Sequence, residues 1–339
     1  MKVTMKMIAE ICKVNVSTVS RVINKTATIS PKVTKKILSV AKKFNYQPHA
    51  YARSLAKQKA WTVSLVVPNF YFLYGPFFQR LLHGISNELL SLNYSLIITS
   101  LEKKGNESLL QIARSKKIDG ALLLADTLSD KELALYTDLG IPFIIVNKKN
   151  PFANKNYVCL DNVTGGKIAT QHLIEHGYKN LIYLGGDESY HVSQERLAGF
   201  KLAIQKMKDK MNIEEIRVFF GSFSQGVTWG YEIGSKLNLN PEKPAGVFAA
   251  SDHIALGLKY YCNDHNLKVG KDVGIVGFDN WETMEFLSLG ITSIDQNPFA
   301  MGSKACRFLV YQIEGGKSPN HAVIEPSLVI RQSCGCSKK

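Results

Sequence analysis

The sequence predicts a small all-helical unit followed by a larger α/β body of two lobes, each a doubly wound parallel sheet. Three observations predict this fold class. Apolar residues recur at helical spacing up to about residue 47, and short apolar strands alternate with amphipathic helices from residue 61 onward. The balance of charge also changes near residue 60. A length of 339 residues is enough for two or three domains.

The first unit opens with two short predicted helices joined by a tight turn within residues 7–24, MIAEICKVNVSTVSRVIN. Thr4 and Asn15 are the predicted N-caps, because their side chains can accept hydrogen bonds from first-turn amides. Only Lys13 and Val14 separate the two helices. This is the spacing of a helix-turn-helix, whose second helix enters the DNA major groove, but periodicity alone fits any pair of packed helices equally well.

The distribution of charge favours the helix-turn-helix. The first 60 residues contain 13 basic residues and one acidic residue, Glu10, for a net charge of +12, whereas the other 279 residues carry only +2. A basic unit attached to a nearly neutral body is typical of a protein that holds a polyanion at one end. The composition therefore predicts a nucleic-acid partner in preference to a merely solvated charged face.

A third helix and a short connecting segment complete this part of the chain. Ser30 as N-cap and Pro31 at the first helical position predict where the helix starts, and Pro48 prevents its continuation. Residues 48–60 are long enough for two helical turns, but Leu55 has no core to join. The segment is either a linker or a helix that becomes ordered only on DNA.

The body shows the alternation of strand and helix that is typical of parallel α/β sheets. Strands are predicted at residues 63–67, 95–99, 120–124, 143–146, 157–160, 181–184, 216–220, 246–249 and 273–277. Helices are predicted at residues 76–92, 106–115, 165–176, 196–207, 229–237 and 253–265. There are too many strands for one small sheet, so two lobes with a ligand cleft at the carboxyl ends of the strands are the simplest arrangement.

Polar residues stand where several of these strands end, and Arg196 opens a helix. The polar residues are Asn69, Asn147, Ser251 and Asp279. Carboxylate, amide and guanidinium groups bind hydroxyls, and the ring faces of nearby aromatics such as Phe77 cover CH surfaces, as a sugar-like ligand requires. Helix capping or loop hydrogen bonding explains each residue equally well on its own. As a set they favour a ligand cleft.

The sequence contains no motif of a common enzyme or cofactor site. The first strand is followed by Pro68-Asn69-Phe70, where a dinucleotide-binding protein would have G-x-G-x-x-G. Walker, H-E-x-x-H and G-x-S-x-G motifs are also missing. We therefore expect no catalytic residues and no cofactor.

Cysteine usage and hydropathy bear on location and metal binding. Most of the six cysteines stand among apolar neighbours, which indicates reduced thiols and a cytoplasmic protein. Cys334-Gly335-Cys336 offers two thiolates, an incomplete zinc site, so no metal is predicted. Neither a signal peptide nor a run of ~18 apolar residues is visible, so we expect no membrane association.

Several motifs, in order along essentially the whole chain, resemble those of the LacI/GalR family of bacterial transcription regulators. Residues 16–24, VSTVSRVIN, match the recognition-helix motif of that family. The hinge motif is matched by Tyr46-Gln47-Pro48 with Ala52-Arg53-Ser54-Leu55. The body motifs are matched by Ser193-x-x-Arg196-x-x-Gly199-Phe200 and by residues 251–257, 276–280 and 329–334. The resemblance implies a periplasmic-binding-protein-like body of two lobes.

The resemblance also implies roles for residues that contact DNA. Val16, Ser17 and Arg21 would face base edges, where Arg21 is able to contact guanine with two hydrogen bonds. Phosphates would be held by Asn15, Thr18 and Asn24. The hinge would enter the minor groove as a pair of helices, one from each subunit, with Leu55 wedged between base steps. The hinge residues in question are Tyr46, His49, Ala52, Arg53 and Leu55.

For the body, the resemblance implies that Arg196 and Asp279 clamp an effector. The further effector-site residues are Asn69, Phe77, Asn147, Gln225 and Ser251, with Gln225 near the position of a stacking aromatic in relatives. Phe299-Ala300 stands where one branch of the family docks a protein corepressor through a tyrosine-aspartate pair. We therefore expect a small effector: a sugar, sugar acid or sugar phosphate. The lack of leucine heptads after Cys336 predicts a homodimer.

These expectations combine into one functional prediction and a set of boundaries. Residues 1–47 should form the helix-turn-helix domain and residues 48–60 the hinge. The first lobe should comprise residues 61–160 and 294–322, and the second lobe residues 161–293 and 323–339. The predicted function is repression of carbohydrate-utilisation genes through a palindromic operator, controlled by an effector between the lobes. Two alternatives remain, a sugar-binding protein of the periplasmic type and an α/β sugar enzyme.

Overall fold

The computed structural model describes residues 3–24, 27–46, 59–67, 75–100, 117–124, 130–150, 155–208, 211–286, 290–316 and 321–336. The chain folds as two compact units, residues 1–60 and residues 61–339. Within the described residues, no helix is both long enough and apolar enough to cross a bilayer.

The described residues of the N-terminal unit form three helices: α1 (Met5–Cys12), α2 (Val16–Asn24) and α3 (Pro31–Lys43). They share a small core whose buried side chains are Ile8, Ala9, Cys12, Val19, Val22, Ile37 and Ala41. The Thr4 side chain accepts a hydrogen bond from the Met7 amide at 3.3 Å, as predicted for the N-cap. Ser30 is the N-cap of α3, but its side chain makes no capping hydrogen bond. Its carbonyl oxygen accepts a hydrogen bond from the Thr34 amide at 3.0 Å.

The first lobe of the body is a six-stranded parallel sheet in the order β11-β5-β4-β3-β1-β2. Its strands are β1 (Thr62–Val67), β2 (Ser95–Ser100), β3 (Gly120–Leu124), β4 (Phe143–Val146), β5 (Tyr157–Leu160) and β11 (His321–Ile324). Its helices are α4 (Pro76–Ser91), α5 (Asp130–Asp138) and α10 (Pro298–Ile313). The inner strands are buried and the edge strand β2 is partly exposed, because helices cover both faces of a parallel sheet but not its edges.

The second lobe is also six-stranded, in the order β12-β10-β9-β8-β6-β7, and is parallel except where β12 pairs antiparallel with β10. Its strands are β6 (Asn180–Gly185), β7 (Glu215–Phe220), β8 (Ala245–Ala249), β9 (Val273–Phe278), β10 (Thr292–Asp295) and β12 (Ser327–Val329). Its helices are α6 (Asn162–Glu175), α7 (His191–Met207), α8 (Gly226–Gly234), α9 (Asp252–Asp264) and a 3-10 turn at Glu282–Glu285. The two-lobed fold predicted from sequence is confirmed.

The chain crosses between the two sheets three times, after β5, after β10 and between β11 and β12. Two crossings lie slightly later than predicted. β10 keeps the chain in the second lobe to Asp295, so the first lobe does not resume at residue 294. β11 pairs with β5 up to Ile324, so the first lobe extends past residue 322. Both errors arise because neither short strand is predicted from the sequence.

All nine strands predicted from the sequence form, within one residue at each end. The structure adds β10, β11 and β12 together with α5 and α10. The predicted helix at residues 106–115 lies outside the described residues.

Candidate functional site

In the N-terminal unit, α2 divides its residues between a buried and an exposed side. Val19 and Val22 point into the small core. The opposite side exposes Ser17, Arg21 and Val16, whose side chain remains 44% exposed although it is apolar. An exposed valine on a polar face has no folding role, but it suits contact with a thymine methyl group.

The residues predicted to hold phosphates lie at the two ends of α2. Asn15 is exposed just before the helix, and its carbonyl oxygen accepts hydrogen bonds from the Thr18 and Val19 amides. Thr18 is half-buried. Asn24 ends the helix. That these three residues contact phosphates of DNA remains a prediction.

The turn between α1 and α2 places a lysine in the left-handed backbone region. Lys13 has φ 57° and ψ 50°, and its amide donates to the carbonyl oxygens of Ala9 and Glu10. Glycine adopts this region without steric cost, whereas a residue with a Cβ is disfavoured there. Lys13 therefore ends α1 in a conformation that a glycine would adopt more easily.

Only one of the predicted hinge residues falls in the part of the chain that the structure describes. Tyr46 is half-buried against the core of the N-terminal unit, and burial raises the pKa of its hydroxyl. The predictions for His49, Ala52, Arg53 and Leu55 lie outside the described residues.

In the body, Arg196 is the centre of the candidate ligand site. It lies on α7 and is buried, with Nε donating to Asn162 Oδ1 at 3.0 Å and Nη1 donating to the Ala250 carbonyl at 2.6 Å. Its guanidinium also lies over the Phe278 ring, 3.6 Å from the ring centroid. A planar cation held on three sides is pre-organised, so little side-chain entropy remains to be lost when it binds a ligand.

Asp279 follows directly after Phe278, at the end of β9, with φ 123°. Burial raises the pKa of its carboxyl, while Arg196, His253 and a hydrogen bond from Gln296 act in the opposite direction. The charge on Arg196 therefore acts directly on Asp279. These are the two residues predicted to clamp the effector, and the fold brings them together.

A second carboxyl group, Asp252, lies behind Asp279. It is buried and accepts hydrogen bonds from Ser293 Oγ at 2.6 Å and from the Trp281 amide at 2.7 Å. Burial and the nearby Asp279 charge raise the pKa of Asp252 well above its ordinary value. Because Asp252 accepts the Trp281 amide, it fixes the backbone that follows Asp279, so we assign it a positioning role.

Two buried polar atoms beside the clamp have no hydrogen-bond partner among the described residues: Ser193 Oγ and Gln296 Oε1. Ser193 lies three residues before Arg196 on α7, so the two share a helix face. Gln296 donates its Nε2 to Asp279 Oδ1. Buried polar atoms are normally satisfied, which makes both atoms available for a polar ligand.

Gln296 is a candidate site residue that is not predicted from the sequence. Its signal is the one used for Asn147, Ser251 and Asp279, a polar side chain at the end of a strand. It could not be applied because the strand in question, β10, is not predicted from the sequence.

Contacts between the two lobes surround this cluster. His191, at the start of α7, meets the carbonyl oxygen of Asn147 from the first lobe at 3.2 Å. Arg80 of α4 reaches Asp295 Oδ1, at the end of β10, at 3.4 Å. The predicted residue Asn147 therefore lies where the first lobe meets α7. Both contacts join the two lobes in this arrangement.

The remaining effector-site predictions are not brought to the cluster by any described contact. Ser251 neighbours Ala250, which accepts from Arg196, but its own side chain caps α9 through the Ile254 amide at 3.3 Å. Phe77 is half-buried in the first turn of α4. Gln225 is exposed before α8. Asn69 lies outside the described residues.

A cavity of about 360 Å³ opens beside two of the crossings between the lobes. Its lining comprises Lys149, Leu160, Asp161, Asn162, Val163, Glu195, Val323 and Glu325. It meets the clamp at Asn162, which accepts a hydrogen bond from Arg196 and whose Nδ2 donates to Glu195 Oε2 at 2.9 Å. None of the residues predicted to bind the effector lines it, and carboxylates outnumber its single cation. The Arg196 cluster remains the better candidate for a ligand site.

Comparison with known families matches both units. Residues 4–49 match the family described as bacterial regulatory proteins, lacI family. Residues 170–334 match the family described as periplasmic binding protein-like domain. The two matches confirm the resemblance that the sequence motifs carry.

Named relatives are similar along nearly the whole chain. The chain is 28% identical over 336 residues to "HTH-type transcriptional repressor PurR" of Haemophilus influenzae (strain PittEE), a match that covers 97% of this chain and 98% of that protein. It is 29% identical over 335 residues to a protein of the same name from Histophilus somni (strain 2336), with the same coverage. These relatives are transcriptional regulators and not enzymes.

Two solved structures illustrate the fold. The "transcriptional regulator CelR-cellobiose complex" has a TM-score of 0.72 at 27% identity and covers 98% of this chain and 99% of that one. A lac repressor dimer bound to operator and the anti-inducer ONPF has a TM-score of 0.83 at 20% identity, with the same coverage. The second likeness concerns the fold alone.

Proposed function

Because residues 4–49 match the lacI family and residues 170–334 match the periplasmic binding protein-like domain, we propose that the chain is a regulator of the LacI family. It would repress transcription by binding a palindromic operator as a homodimer, under the control of a small polar effector. The effector would bind between the two lobes of the body. We further propose that the protein acts in the cytoplasm, where its duplex partner is found, and that it controls genes of carbohydrate use.

The observation that carries the DNA-binding half of this proposal is the exposed face of α2. Ser17, Arg21 and Val16 project from a helix whose other side is buried, in a unit with a net charge of +12. The charge supplies attraction to any duplex, and the exposed side chains supply contacts with base edges. Within the proposal, the hinge residues of the family motif would add contacts in the minor groove.

The effector half rests on the cluster around Arg196. A guanidinium, the Asp279 carboxyl group and a buried amide at Gln296 together offer donors and acceptors for several hydroxyl or acidic groups. The relative that was solved in complex with cellobiose supports a sugar. We therefore propose a sugar, sugar acid or sugar phosphate as the effector.

A homodimer is supported by apolar surface on the first lobe. Leu90 on α4 is 78% exposed, and Ile97 on the edge strand β2 is also exposed. Surface of this kind is commonly covered by a second copy. A dimer would also present two copies of α2 to the two halves of a palindrome.

Control by the effector would work through a population shift. A ligand that prefers one angle between the lobes stabilises that angle by its difference in affinity. The contacts of Arg80 with Asp295 and of His191 with Asn147 are made in the lobe arrangement described here and would differ in another.

Two experiments test the proposal in sequence. The full-length protein is first used to select duplexes from a random pool, and inverted half-sites are the expected result. Enrichment of no sequence would contradict the DNA-binding half. A thermal-shift screen then compares sugars, sugar acids, sugar phosphates and heterocyclic bases, and a ligand at one hundred times its Kd should stabilise the protein by about 2.7 kcal/mol. A response to the bases alone would contradict the carbohydrate assignment while leaving the regulator intact.

A further inference from the structure

Four side chains of the types that can bind metal ions converge in the second lobe, away from the Arg196 clamp. We name them the Cys2His2 cluster: His172, His176, Cys334 and Cys336. One nitrogen or sulfur atom from each residue lies within 4.8 Å of those of the other three. The sequence shows only the two cysteines as a pair, because the histidines precede them by about 160 residues and are brought to them by the fold.

The backbone explains why the four side chains meet. His172 is in the last turn of α6 and His176 is its C-cap, so a spacing of four residues places both rings on one side of the helix. Their ring centroids are 4.2 Å apart. Cys334 and Cys336 flank Gly335, whose φ of +95° permits a tight turn that brings both thiols to the same side.

The interatomic distances suit a tetrahedral ion. Zinc–sulfur bonds of about 2.3 Å and zinc–nitrogen bonds of about 2.0–2.1 Å separate neighbouring ligand atoms by roughly 3.3–3.8 Å. Cys336 Sγ lies 3.0 Å from His176 Nε2 and 3.7 Å from His172 Nε2. The most distant pair would have to close by about 1 Å, which small side-chain rotations can supply.

Hydrogen bonds around the cluster prepare its atoms for a metal. His176 Nδ1 lies 2.8 Å from the His172 carbonyl oxygen, which can only accept, so Nδ1 carries the proton and Nε2 keeps its lone pair toward Cys336. A metal-bound histidine usually donates from its other ring nitrogen in this way, as His176 Nδ1 does to the His172 carbonyl oxygen. Thr292 Oγ1 donates to Cys334 Sγ at 3.1 Å, a contact that helps to hold the sulfur in place.

Other cysteines of the body lack such surroundings. Burial raises the pKa of the Cys262 thiol to about 12, and Asp272 adds to the effect. Burial likewise raises the pKa of Cys159 to about 11. These thiols are inert fillers of the core, so Cys262 serves as a matched control for the cysteines of the cluster.

We propose that the Cys2His2 cluster binds one Zn²⁺ ion that fastens the C-terminal segment to α6. Four protein ligands leave no open coordination position, so the site would be structural and not catalytic. At its opposite end, α6 begins with Asn162, whose Oδ1 accepts a hydrogen bond from Arg196. The ion would therefore brace the helix that helps to hold the proposed effector clamp.

Cobalt substitution tests this proposal directly. Reduced full-length protein, freed of metal by dialysis against a chelator, is titrated with Co²⁺. We expect one equivalent to bind, with the intense visible bands of tetrahedral cobalt and a near-ultraviolet thiolate-to-cobalt band, and Zn²⁺ should abolish both. If reduced protein gives no cobalt spectrum, or gives one without the thiolate band, the proposal is wrong.

Variants identify the ligands. Cys336→Ser and His176→Gln change exposed or half-exposed positions, so both should fold, which circular dichroism checks. Each should weaken cobalt binding by about tenfold or more, since loss of an outer-shell partner alone costs about that much. Cys262→Ser should bind one equivalent with the wild-type spectrum. An unchanged spectrum in both cluster variants would overturn the assignment, independently of whether the protein binds DNA.

Discussion

The two units of this chain build their candidate sites in opposite ways. The N-terminal unit presents consecutive turns of one helix, α2, on the outside of a core of seven buried side chains. The body collects single residues from distant parts of the chain: Asn147 after β4, Arg196 on α7, Asp279 after β9 and Gln296 after β10. The first site is exposed and basic, whereas the second is largely buried and mixed in charge.

Because of this difference, we expect substitutions in the two sites to have different effects on stability and binding. An exposed helix face contributes to binding but little to stability, so its residues can change without unfolding the unit. A buried cluster contributes to both, because each polar group that loses its partner is left without water. Variants in the body should therefore alter stability and ligand binding together.

The largest effect is expected from Arg196→Ala. The substitution leaves the Ala250 carbonyl and Asn162 Oδ1 without their donor, so unfolding free energy should fall by about 3 kcal/mol. Effector binding should weaken by about a hundredfold or more. Urea unfolding and calorimetric titration measure the two effects. Arg217→Ala, which removes an arginine that bonds the Leu237 carbonyl, is the control and should keep effector affinity.

Arg21→Ala should affect only the first site. Loss of a contact with guanine should cost about 1–3 kcal/mol on the selected duplex and relax specificity at one base pair. Stability and effector affinity should remain unchanged, because Arg21 is exposed. Lys43→Ala is the control, and it should weaken binding to all duplexes equally. Wild-type specificity in Arg21→Ala would show that α2 is not the recognition helix.

Asp252→Asn should change how the stability of the body depends on pH. Because the pKa of Asp252 is raised in the folded state, the native protein binds this proton more tightly than the unfolded chain does. Asp252 therefore costs stability at neutral pH, and this cost is relieved as the pH falls toward about 4. Relative to the variant, the wild type should gain up to about 1.4 kcal/mol per pH unit as the pH falls. A difference that stays constant in urea unfolding from pH 8 to pH 5 would contradict the buried carboxyl.

The smallest effect is expected at the turn of the first unit. Lys13→Gly relieves the left-handed backbone and should stabilise that unit by about 0.5–1 kcal/mol. Lys35→Gly, within α3, should instead destabilise it by about 1 kcal/mol. Amide hydrogen exchange at Ile8 and Val19 reports on this unit specifically. Faster exchange in Lys13→Gly would contradict the strain at the turn.

The same contrast explains what could be predicted from the sequence. The recognition face is local, so the periodicity of residues 7–24 and the local charge predict it directly. Buried strands such as β3 and β4 can be predicted because they are short apolar runs in the sequence. The edge strand β12 spans only three half-exposed or exposed residues and gives no such signal.

The sequence does not predict which distant residues the fold brings together. A polar residue after a strand indicates Asp279 and one at a predicted helix start indicates Arg196. Only the fold shows that Gln296 joins them and that Gln225 is exposed before α8. The Cys2His2 cluster is the extreme case, because a helix end and a C-terminal turn meet there. Spacing rules find ligands that are close in sequence and miss those assembled by packing.

The most direct test of the account measures how salt and effector change the affinity of the full-length protein for its selected duplex. We expect a steep linear fall of log K with log salt concentration, set by the charge of the first unit, and a shift of the whole line when an effector that binds the body is added. Binding that is insensitive to salt, or a line that saturating effector leaves in place, would contradict the claim that the body controls how the basic unit holds DNA.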